Sequence, residues 1–409
     1  MRIGMILDNE YLTDARVPNE ARYLVRNGHE VFVLCINFDN RSYFETVDGV
    51  HVVRFDMKRR SKNRLFGVVN LFPLYNWIWA VKIKHFIVKY KIEALHAHDL
   101  YMSKPVYMAN LKFNLPITLD LHENYPAAIT GYTWANKFPH KILVLPSRWK
   151  KKEKRYLLYA NNIVVLSEAF RQTLCEEYPS LQTKRFVVYP NVPDAKWFLS
   201  VPVDCSIRDS ISGFVLLYFG VIGIRRGMVT CFEAMKKLII NIHEIKLLLI
   251  GPVDRSDREL FDCYLNDPTI KDNIIYLPWI DLKELPSYIN ASDVCLAPFI
   301  NSPHIDSGIS NKVFQYMLFE RPVVLSDSKP HKMIVDETGC GHIFKDVDVN
   351  DFVNVILKMY NNPEVRKEMG TKGKKAILEK YNLEKTGKAL EDLYRKEQGT
   401  NSRLIQPLI

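Results

Sequence analysis

A polar segment followed by an amphipathic helical pattern carries the side chains with the clearest chemical potential. Residues 306–312 are mostly polar, and the apolar residues of 313–318 recur at the spacing of a core-packed helix face. Ser310 or Asn311 is predicted to cap this helix, because its side-chain oxygen can accept an amide hydrogen of the first turn. Lys312 would then lie in that turn, where a cation is unfavourable for the helix itself. This favours a phosphate-like anion bound at the helix start, although an ordinary capped helix with a solvated lysine would show the same pattern.

A glycine-rich loop gives a second reason to expect a phosphate site. Residues 214–219 form a continuous apolar run of strand length, and a helical pattern follows Gly227. A strand, a glycine-rich loop and a helix together make a common phosphate cradle, since glycine lets the backbone approach the ligand. The arginines of this loop add planar donors that match phosphate oxygens. The loop residues concerned are Gly220, Gly223, Arg225 and Arg226.

These two segments resemble the donor site of a retaining glycosyltransferase of family 4, which has the two-domain GT-B fold. The resemblance covers nearly the whole chain. It implies that residues 214–238 bind the diphosphate of a nucleotide-sugar donor. Residues 311–317 match the family's Asn-Lys-x-Phe-Glu-Tyr-Met variant of its donor-binding helix, with glutamine in place of glutamate. Arg226 and Lys312 would then be catalytic, because they would stabilise the charge that grows on the departing diphosphate.

Two positions depart from the family pattern. The family usually has two glutamates eight positions apart, and here Ser307 and Gln315 stand in their places. Gln315 can still accept a hydrogen bond from a ribose hydroxyl, but without the help of a charge. Ser307, or amides near Gly308, would have to orient the sugar, so a degenerate protein that only binds nucleotide or glycan remains an alternative. The predicted donor-binding residues are Gly220, Gly223, Arg225, Arg226, Ser307, Gly308, Ser310, Asn311, Lys312 and Gln315.

Strand and helix patterns alternate along the chain in two blocks, and 409 residues are too many for one typical core. The alternation predicts an α/β fold with two doubly wound parallel sheets. With the resemblance, this becomes a GT-B protein whose two Rossmann-like domains face a cleft. We predict an acceptor-binding domain at residues 1–200 and a donor-binding domain at 201–383. The last helix, at about residues 384–409, is expected to pack back on the first domain.

Polar residues also follow predicted strands of the first block. His98 and Asp99 end one strand, and His122 and Glu123 follow another. Ligands in open α/β sheets bind beyond the carboxyl ends of strands. The resemblance implies that His122 is catalytic and lies near the donor sugar, although a structural histidine, or one oriented by Glu123, is the alternative. The residues predicted to face the acceptor are Asp14, Arg16, His98, Asp99 and Glu123.

The resemblance implies transfer of a sugar from a nucleotide-sugar donor, with UDP favoured and GDP possible, to a glycan or lipid-linked acceptor. Retention of configuration would follow from front-face attack, since no convincing paired-carboxylate nucleophile is apparent. No metal or other cofactor is expected. Asp346-Val-Asp348 resembles the metal motif of a different glycosyltransferase fold, but it precedes a predicted helix, where a cap belongs. A GT-B nucleotide-sugar epimerase is the second enzymatic alternative.

The formal charge of +10 indicates an anionic partner. Basic runs at 58–64 and 148–155 carry much of the charge, and the first precedes an aromatic and aliphatic stretch that reaches residue 79. This combination suits the edge of an anionic membrane, although a solvated basic face would look similar. A lipid-linked acceptor, such as a growing lipopolysaccharide or capsule of a bacterial surface, is therefore predicted.

Other features exclude several classes of protein. Nucleic acid is not expected as a partner, since no recognised nucleic-acid module is present. No apolar stretch reaches the roughly 18 residues that span a bilayer, and residues 2–7 lack a secretory signal pattern. Seven cysteines are scattered without a CxxC pair, which indicates reduced thiols. We expect a cytoplasmic protein, peripheral on the inner face of the cell membrane.

Overall fold

The computed structural model describes residues 1–14, 16–131 and 146–404. The chain divides into two compact units: unit 1 comprises Met1–Pro190 and Glu384–Ile409, and unit 2 comprises Asn191–Leu383. Each contains one sheet that is parallel or almost wholly parallel, which confirms the predicted α/β class. Unit 1 ends before residue 200, because Val192 and Phe198 pack into the core of unit 2.

Unit 1 is built on an eight-stranded sheet. Its strands are β1 (Arg2–Ile6), β2 (Glu30–Asn37), β3 (Phe44–Val47), β4 (Val50–Asp56), β5 (Ala94–His98), β6 (Ile117–Asp120), β7 (Asn162–Val165) and β8 (Arg185–Val188). They lie in the order β3-β4-β2-β1-β5-β6-β7-β8, and all neighbours are parallel except β3 and β4. The chain builds outward from β1 on one side and then starts β5 on the other, so the topological switch point lies between β1 and β5.

Helices pack on both faces of this sheet. The described helices from this part of the chain are α1 (Val17–Arg26), α2 (Arg59–Gly67), α3 (Leu74–Tyr90), α4 (Ser103–Asn110), α5 (Tyr125–Gly131), α6 (Pro146–Leu158) and α7 (Glu168–Glu177). Successive strand residues point to opposite faces. Met5 therefore shares a core with Leu24 of α1, whereas Ile6 shares a different core with Trp79 of α3.

Unit 2 is built on a six-stranded, wholly parallel sheet. Its strands are β9 (Phe214–Phe219), β10 (Ile245–Ile250), β11 (Ile274–Leu277), β12 (Val294–Ala297), β13 (Val323–Ser326) and β14 (Gly341–Phe344). They lie in the order β11-β10-β9-β12-β13-β14, which puts the switch point between β9 and β12. The strands are apolar along most of their length, as expected for parallel strands covered on both faces.

Nine described helices belong to unit 2: α8 (Ala195–Ser200), α9 (Ser206–Ser210), α10 (Met228–Asn241), α11 (Arg258–Leu265), α12 (Leu285–Ala291), α13 (Asn311–Leu318), α14 (Lys329–Thr338), α15 (Val349–Asn361) and α16 (Pro363–Glu379). The Asp348 carboxylate accepts the amide of Asp351 and caps α15. Asp346 accepts the amide of Asn301 at 2.8 Å. Both aspartates of the 346–348 motif are thus used in local hydrogen bonds.

The C-terminal helix, α17 (Leu383–Leu404), packs on unit 1 beside α1. Leu390 and Tyr394 are fully buried in the core that α1 also lines. Gly387 lies directly against the ring of Tyr23, where a Cβ atom would come within 2.4 Å of the ring. Close approach of α17 to α1 therefore depends on glycine at this position. Within the described residues, no helix is both long and apolar enough to cross a membrane.

Candidate functional site

The predicted donor loop leaves the carboxyl end of β9 at the switch point of unit 2. Gly220 has φ +123° and Gly227 has φ +75°, which are left-handed values that favour glycine. A Cβ atom on Gly227 would lie 1.7 Å from the carbonyl oxygen of Pro298, and a Cβ atom on Gly220 would lie 2.8 Å from Nζ of Lys312. The loop therefore brings its backbone directly against the Lys312 amine.

Lys312 lies in the first turn of α13 and is almost completely buried. Its Nζ atom is 3.9 Å from the centroid of the Tyr218 ring and 5.1 Å from that of Phe299. Among the residues that the structure describes, no carboxylate forms a salt bridge with it. Burial, with the nearby charge of Arg226, lowers the pKa of Lys312 well below its usual value. Ring faces only partly replace the lost hydration, so a bound anion would stabilise this cation strongly.

The two loop arginines have different surroundings. The Arg226 guanidinium lies 5.3 Å from the centroid of Phe299, the same ring that Lys312 approaches. Arg225 instead pairs with Asp254 at 3.7 Å. Arg226 and Lys312 thus form the cationic pair of this site, with Arg225 on its more exposed side.

An acidic side chain lies against the part of the loop around Gly223 and Ile224. The Ile224 amide donates to Asp257 Oδ2 at 2.8 Å, and a Cβ atom on Gly223 would lie equally close to that oxygen. A carboxylate so close is unfavourable for a phosphate. The Gly220 end, beside Lys312, is therefore the better anion site.

Helix α13 is held against β9 by a hydrogen bond from the Phe219 amide to the Tyr316 hydroxyl, 2.9 Å long. Ser310 is the N-cap residue, but its side chain forms no capping hydrogen bond, so the predicted side-chain cap is wrong. Asn311 is exposed and Gln315 is buried. The Val313 amide donates to the carbonyl oxygen of Ser310 at 3.0 Å, so the capacity of the helix start to bind an anion rests on the amides of Asn311 and Lys312.

Ser307 and Gly308 precede this helix. The Ser307 hydroxyl is buried and donates to the carbonyl oxygen of His304 at 2.6 Å. Its hydrogen is therefore used inside the loop. Gly308 has an extended backbone.

The acceptor-side candidates cluster at the carboxyl ends of β5 and β6 in unit 1. His122 Nε2 lies 2.8 Å from Asp120 Oδ2 and 3.1 Å from Nδ1 of His98. Arg16 reaches the same carboxylate through Nη2 at 2.6 Å and Nε at 3.0 Å. Arg16 also donates through Nη1 to the carbonyl oxygen of Tyr189 at 2.7 Å. The structure thus brings the predicted residues Arg16, His98 and His122 together around Asp120.

The remaining acceptor-side residues have separate positions. Asp14 Oδ1 accepts the amides of Arg16 and Val17, at 2.8 and 2.9 Å, so it caps the start of α1. Asp99 has φ +73°, a strained value for a residue with a side chain, and it accepts a hydrogen bond from Tyr101. Glu123 is half-buried next to His122.

Comparison with known proteins identifies the protein class. Residues 212–376 match the family described as glycosyl transferases group 1, and residues 16–196 match Glycosyltransferase Family 4. Sucrose-phosphate synthase from Thermosynechococcus elongatus has the same fold, with a TM-score of 0.75 at 18% identity over 98% of this chain and 100% of that protein. The chain is a GT-B glycosyltransferase.

Other proteins are similar to this glycosyltransferase over most of its length. An uncharacterized glycosyltransferase of Methanocaldococcus jannaschii is 22% identical over 92% of both chains. The spore coat protein SA of Bacillus subtilis is 20% identical over the same share of each chain. The Escherichia coli trehalose-6-phosphate structure bound with UDP-2-fluoro glucose has a TM-score of 0.71 at 13% identity, covering 97% of this chain and 99% of that one.

The charges around Asp120 in the glycosyltransferase are strongly coupled. Burial alone would raise the pKa of Asp120, but Arg16 and His122 hold it well below its usual value. Burial opposes the charged form of His122, yet the carboxylates of Asp120 and Asp99 outweigh it and raise its pKa to about 9. Burial lowers the pKa of His98. At neutral pH, His122 is therefore an imidazolium beside an ionised Asp120.

Besides Asp120, two residues of this cluster were not among the predicted site residues. Glu20 and His96 are fully buried, and together with His98 and Asp120 they place possible metal-ligand atoms within 4.8 Å of one another. The Arg16 guanidinium already pairs with both carboxylates, and it would repel a metal ion placed there. We therefore assign the cluster to an ion-pair network.

Signals for both missed residues were present in the sequence. Glu20 is four positions after Arg16 on a helical pattern, and His96 alternates with His98 on a strand, so each shares a face with a predicted residue. Asp120 itself orients His122, a role that the sequence suggested only for Glu123.

Proposed function

We propose that this glycosyltransferase moves a sugar from a nucleotide-sugar donor, with UDP favoured over GDP, to a glycan or lipid-linked acceptor. We propose retention of configuration and no requirement for a metal. The observation that carries the donor half is the buried Lys312 ammonium, which lies against Gly220 and Tyr218 without a carboxylate partner in the described part of the chain. A diphosphate would supply the missing negative charge. Binding of UDP-2-fluoro glucose and of UDP in structural neighbours supports the preference for UDP.

In this proposal, Lys312 and Arg226 stabilise charge that develops on the departing diphosphate. Donors of this kind are fixed in place before the reaction, and loss of one in comparable sites lowers the rate roughly 10²–10³-fold. Gln315 and Ser307 would offer oxygen acceptors to the ribose and sugar hydroxyls. Both are buried, so these hydrogen bonds would be well shielded from water.

His122 is proposed to lie near the reacting centre as a hydrogen-bond donor. An imidazolium cannot accept the acceptor's proton, so His122 is unsuited to be the general base at neutral pH. This supports front-face attack, in which a donor phosphate oxygen helps to take that proton. Its Nε2 is held by Asp120 and His98, and Nδ1, which has no hydrogen-bond partner among the described residues, would donate to a substrate hydroxyl.

Thermal unfolding with UDP, GDP, CMP and ADP tests the donor half. A nucleotide present at 100 times its Kd should stabilise the protein by about 2.7 kcal/mol. Arg226→Ala and Lys312→Ala should lose that stabilisation, while Lys283→Ala, an exposed lysine in the same unit, should keep it. If a nucleotide stabilised the wild type and all three variants equally, the diphosphate would bind at another site. Product analysis without acceptor separates sugar transfer from epimerisation.

We further propose that the acceptor is presented at an anionic membrane surface, which α2, α3 and the loop between them contact. Apolar side chains are exposed along one face of α3 at helical spacing, and Trp77 is 56% and Val81 65% exposed. Phe72 precedes the helix and is 64% exposed. Exposed apolar and aromatic residues beside cations suit the lipid interface. The exposed cations of α2 and its N-cap are Lys58, Arg59, Arg60 and Arg64.

Several lysines of the two predicted basic segments are paired within the protein and are not available to a membrane. Lys62 turns inward, and its Nζ lies 2.6 Å from the Asp8 carbonyl oxygen and 3.1 Å from Asp8 Oδ2. On α6, Lys150 pairs with Glu153 and Glu177, and Lys152 donates to Asn70. The face formed by α2 and α3 is therefore the better membrane candidate.

Vesicle flotation tests this surface. Binding to phosphatidylcholine vesicles that contain phosphatidylglycerol should weaken with salt and should fall on neutralising Lys58, Arg59, Arg60 and Arg64. Trp77→Ala should also weaken it, whereas Trp279→Ala, the matched change at an exposed tryptophan of unit 2, should not. Binding that ignores both salt and Trp77 would contradict the proposal.

A further inference from the structure

A buried polar network leads from His122 to the C-terminal helix. The His98 ring, which contacts Asp120 and His122, stacks on His96 with ring centroids 4.5 Å apart. His96 Nδ1 lies 2.8 Å from the hydroxyl of Tyr394 on α17. His96, His98 and Tyr394 are fully buried. A residue near the end of the chain is therefore only two rings away from the proposed catalytic histidine.

Glu20 provides a second connection between His96 and His122. Its Oε1 lies 2.8 Å from Arg16 Nε, and its Oε2 lies 3.7 Å from His96 Nε2. Arg16 in turn pairs with Asp120, the carboxylate that holds His122. Glu20 is completely buried, so the effect of its charge on this network is not screened by water.

The contact between the Tyr394 hydroxyl and His96 Nδ1 bears on which nitrogen of His96 carries the proton, because a donating hydroxyl leaves that proton on Nε2. Burial raises the pKa of Tyr394 well above its usual value, so the phenol stays protonated and can donate to Nδ1. Burial lowers the pKa of His96, which is therefore neutral and carries a single proton. With Nδ1 accepting, that proton is on Nε2 and faces Glu20 Oε2. This arrangement favours an ionised Glu20.

The charge of Glu20 reaches His122 through Arg16. An ionised Glu20 offsets part of the guanidinium charge, which would otherwise repel the His122 imidazolium. Burial, with the neighbouring Asp120, raises the pKa of Glu20 to about 8, so Glu20 is largely ionised at the higher pH where His122, with a pKa raised to about 9, loses its proton. The titratable and charged groups that interact with His122 from the surrounding elements are Arg16, Glu20, His96, His98, Asp99 and Asp120.

We propose that Glu20, His96 and Tyr394 are positioning residues, through which the C-terminal helix maintains the charged, oriented state of His122. The proposal rests on the proposed role of His122 for its meaning in catalysis. The structural part stands by itself, because the contacts lie within unit 1 and involve no substrate. Packing of the C-terminal helix on unit 1 would then influence the protonation of His122 as well as the stability of unit 1.

Titration of His122 by NMR tests the positioning role without any substrate. Full-length protein labelled with ¹³C-histidine is titrated, and His122→Gln assigns the signal among the eleven histidines. Glu20→Gln should lower the titration midpoint of His122 by about one pH unit, because the Arg16 charge is then less compensated. Tyr394→Phe should lower it in the same direction by about half as much, since His96 can then turn its lone pair toward Glu20 and favour protonated Glu20.

Tyr23→Phe is the matched control. Tyr23 packs against Gly387 on the same interface between α1 and α17, but its hydroxyl does not belong to the His96 network. It should leave the His122 midpoint unchanged. An unchanged midpoint in Tyr394→Phe, or an equal shift in Tyr23→Phe, would overturn the proposal. If Glu20→Gln fails to fold, Tyr394→Phe decides, because it keeps the ring and its packing.

Activity gives an independent readout once a donor is found. Tyr394→Phe should shift the alkaline limb of the kcat profile to lower pH by the amount measured by NMR, with the donor KM unchanged. A shift by NMR without an effect on turnover would refute the role of His122 and leave the network intact. The failure of the proposed function is thus distinguishable from the failure of the positioning role.

Discussion

The Nζ atom of Lys312 lies 3.9 Å from the centroid of the Tyr218 ring. A Cβ atom added at Gly220 would lie 2.8 Å from the same nitrogen. Strand β9 supplies Tyr218 and the following loop supplies Gly220, while Lys312 lies in the first turn of α13, after the neighbouring strand β12. Two segments that each resemble a phosphate site are thus parts of one site. A side chain at residue 220 would compete with the amine for space.

Gly220→Ala should therefore reduce nucleotide affinity at least tenfold, or about 1.4 kcal/mol. The new Cβ atom would displace Nζ of Lys312, and φ +123° is strained for alanine. Gly28→Ala is the control, since Gly28 also has positive φ but would place its Cβ atom in open space. Calorimetric titration with the nucleotide that stabilises the protein measures both. Equal nucleotide affinities of Gly220→Ala and Gly28→Ala would show that the position of the Lys312 amine is unimportant for nucleotide binding.

Lys312→Met should have opposite effects on stability and on binding. Without ligand, the variant should be more stable to urea at neutral pH, because an unpaired buried ammonium is replaced by an apolar chain. The folded state lowers the pKa of Lys312, so wild-type stability should rise with pH up to the usual lysine value. The stability gap between the variant and the wild type should therefore narrow as pH rises. Nucleotide binding should be lost, and a variant that is both unstable and able to bind would refute this picture.

The rate should fall on the alkaline side as His122 loses its proton. The pKa of His122 is raised to about 9, above the usual histidine value, so the charged form is complete at neutral pH and is lost as pH rises through that value. Measurement of kcat from pH 6 to pH 10 checks this expectation. His122→Gln should turn over slowly and lack the alkaline limb, with nucleotide affinity unchanged. If kcat of His122→Gln still fell at alkaline pH, the group that loses its proton would not be His122.

Asp120→Asn should destabilise unit 1 severely, by about 3–5 kcal/mol, because it leaves the buried Arg16 charge without its main partner. Asp48→Asn is the matched control, since it breaks an exposed pair with Arg22 that is worth at most about 1 kcal/mol. Urea unfolding compares the two. The pKa of Asp120 is lowered on folding, so its stabilising contribution is present above the usual aspartate value and is lost as pH falls. A small loss in Asp120→Asn would mean that Glu20 alone can balance Arg16.

Local patterns in the sequence were sufficient for the architecture and for the strand and helix that border the predicted donor loop. The apolar run 214–219 is strand β9 with the same bounds, and residue 311 begins the predicted helix. These features depend on neighbours a few positions away, which a sequence displays directly. The expected side-chain cap at Ser310 is absent, since the presence of a capping residue does not ensure the rotamer that makes the bond.

Tertiary structure alone decided which charged side chains are solvated and which are buried. The sequence presents Lys62 as one cation in a basic run and Lys312 as a first-turn lysine, yet one pairs with Asp8 and the other lies against Tyr218. The network from Tyr394 through His96 joins segments far apart in the chain. The sequence by itself determined the periodicities that build the two sheets, because these arise from local spacing. The protonation and partners of the buried charges were set by packing, because desolvation and Coulomb energy depend on distances between residues that the order of the chain does not encode.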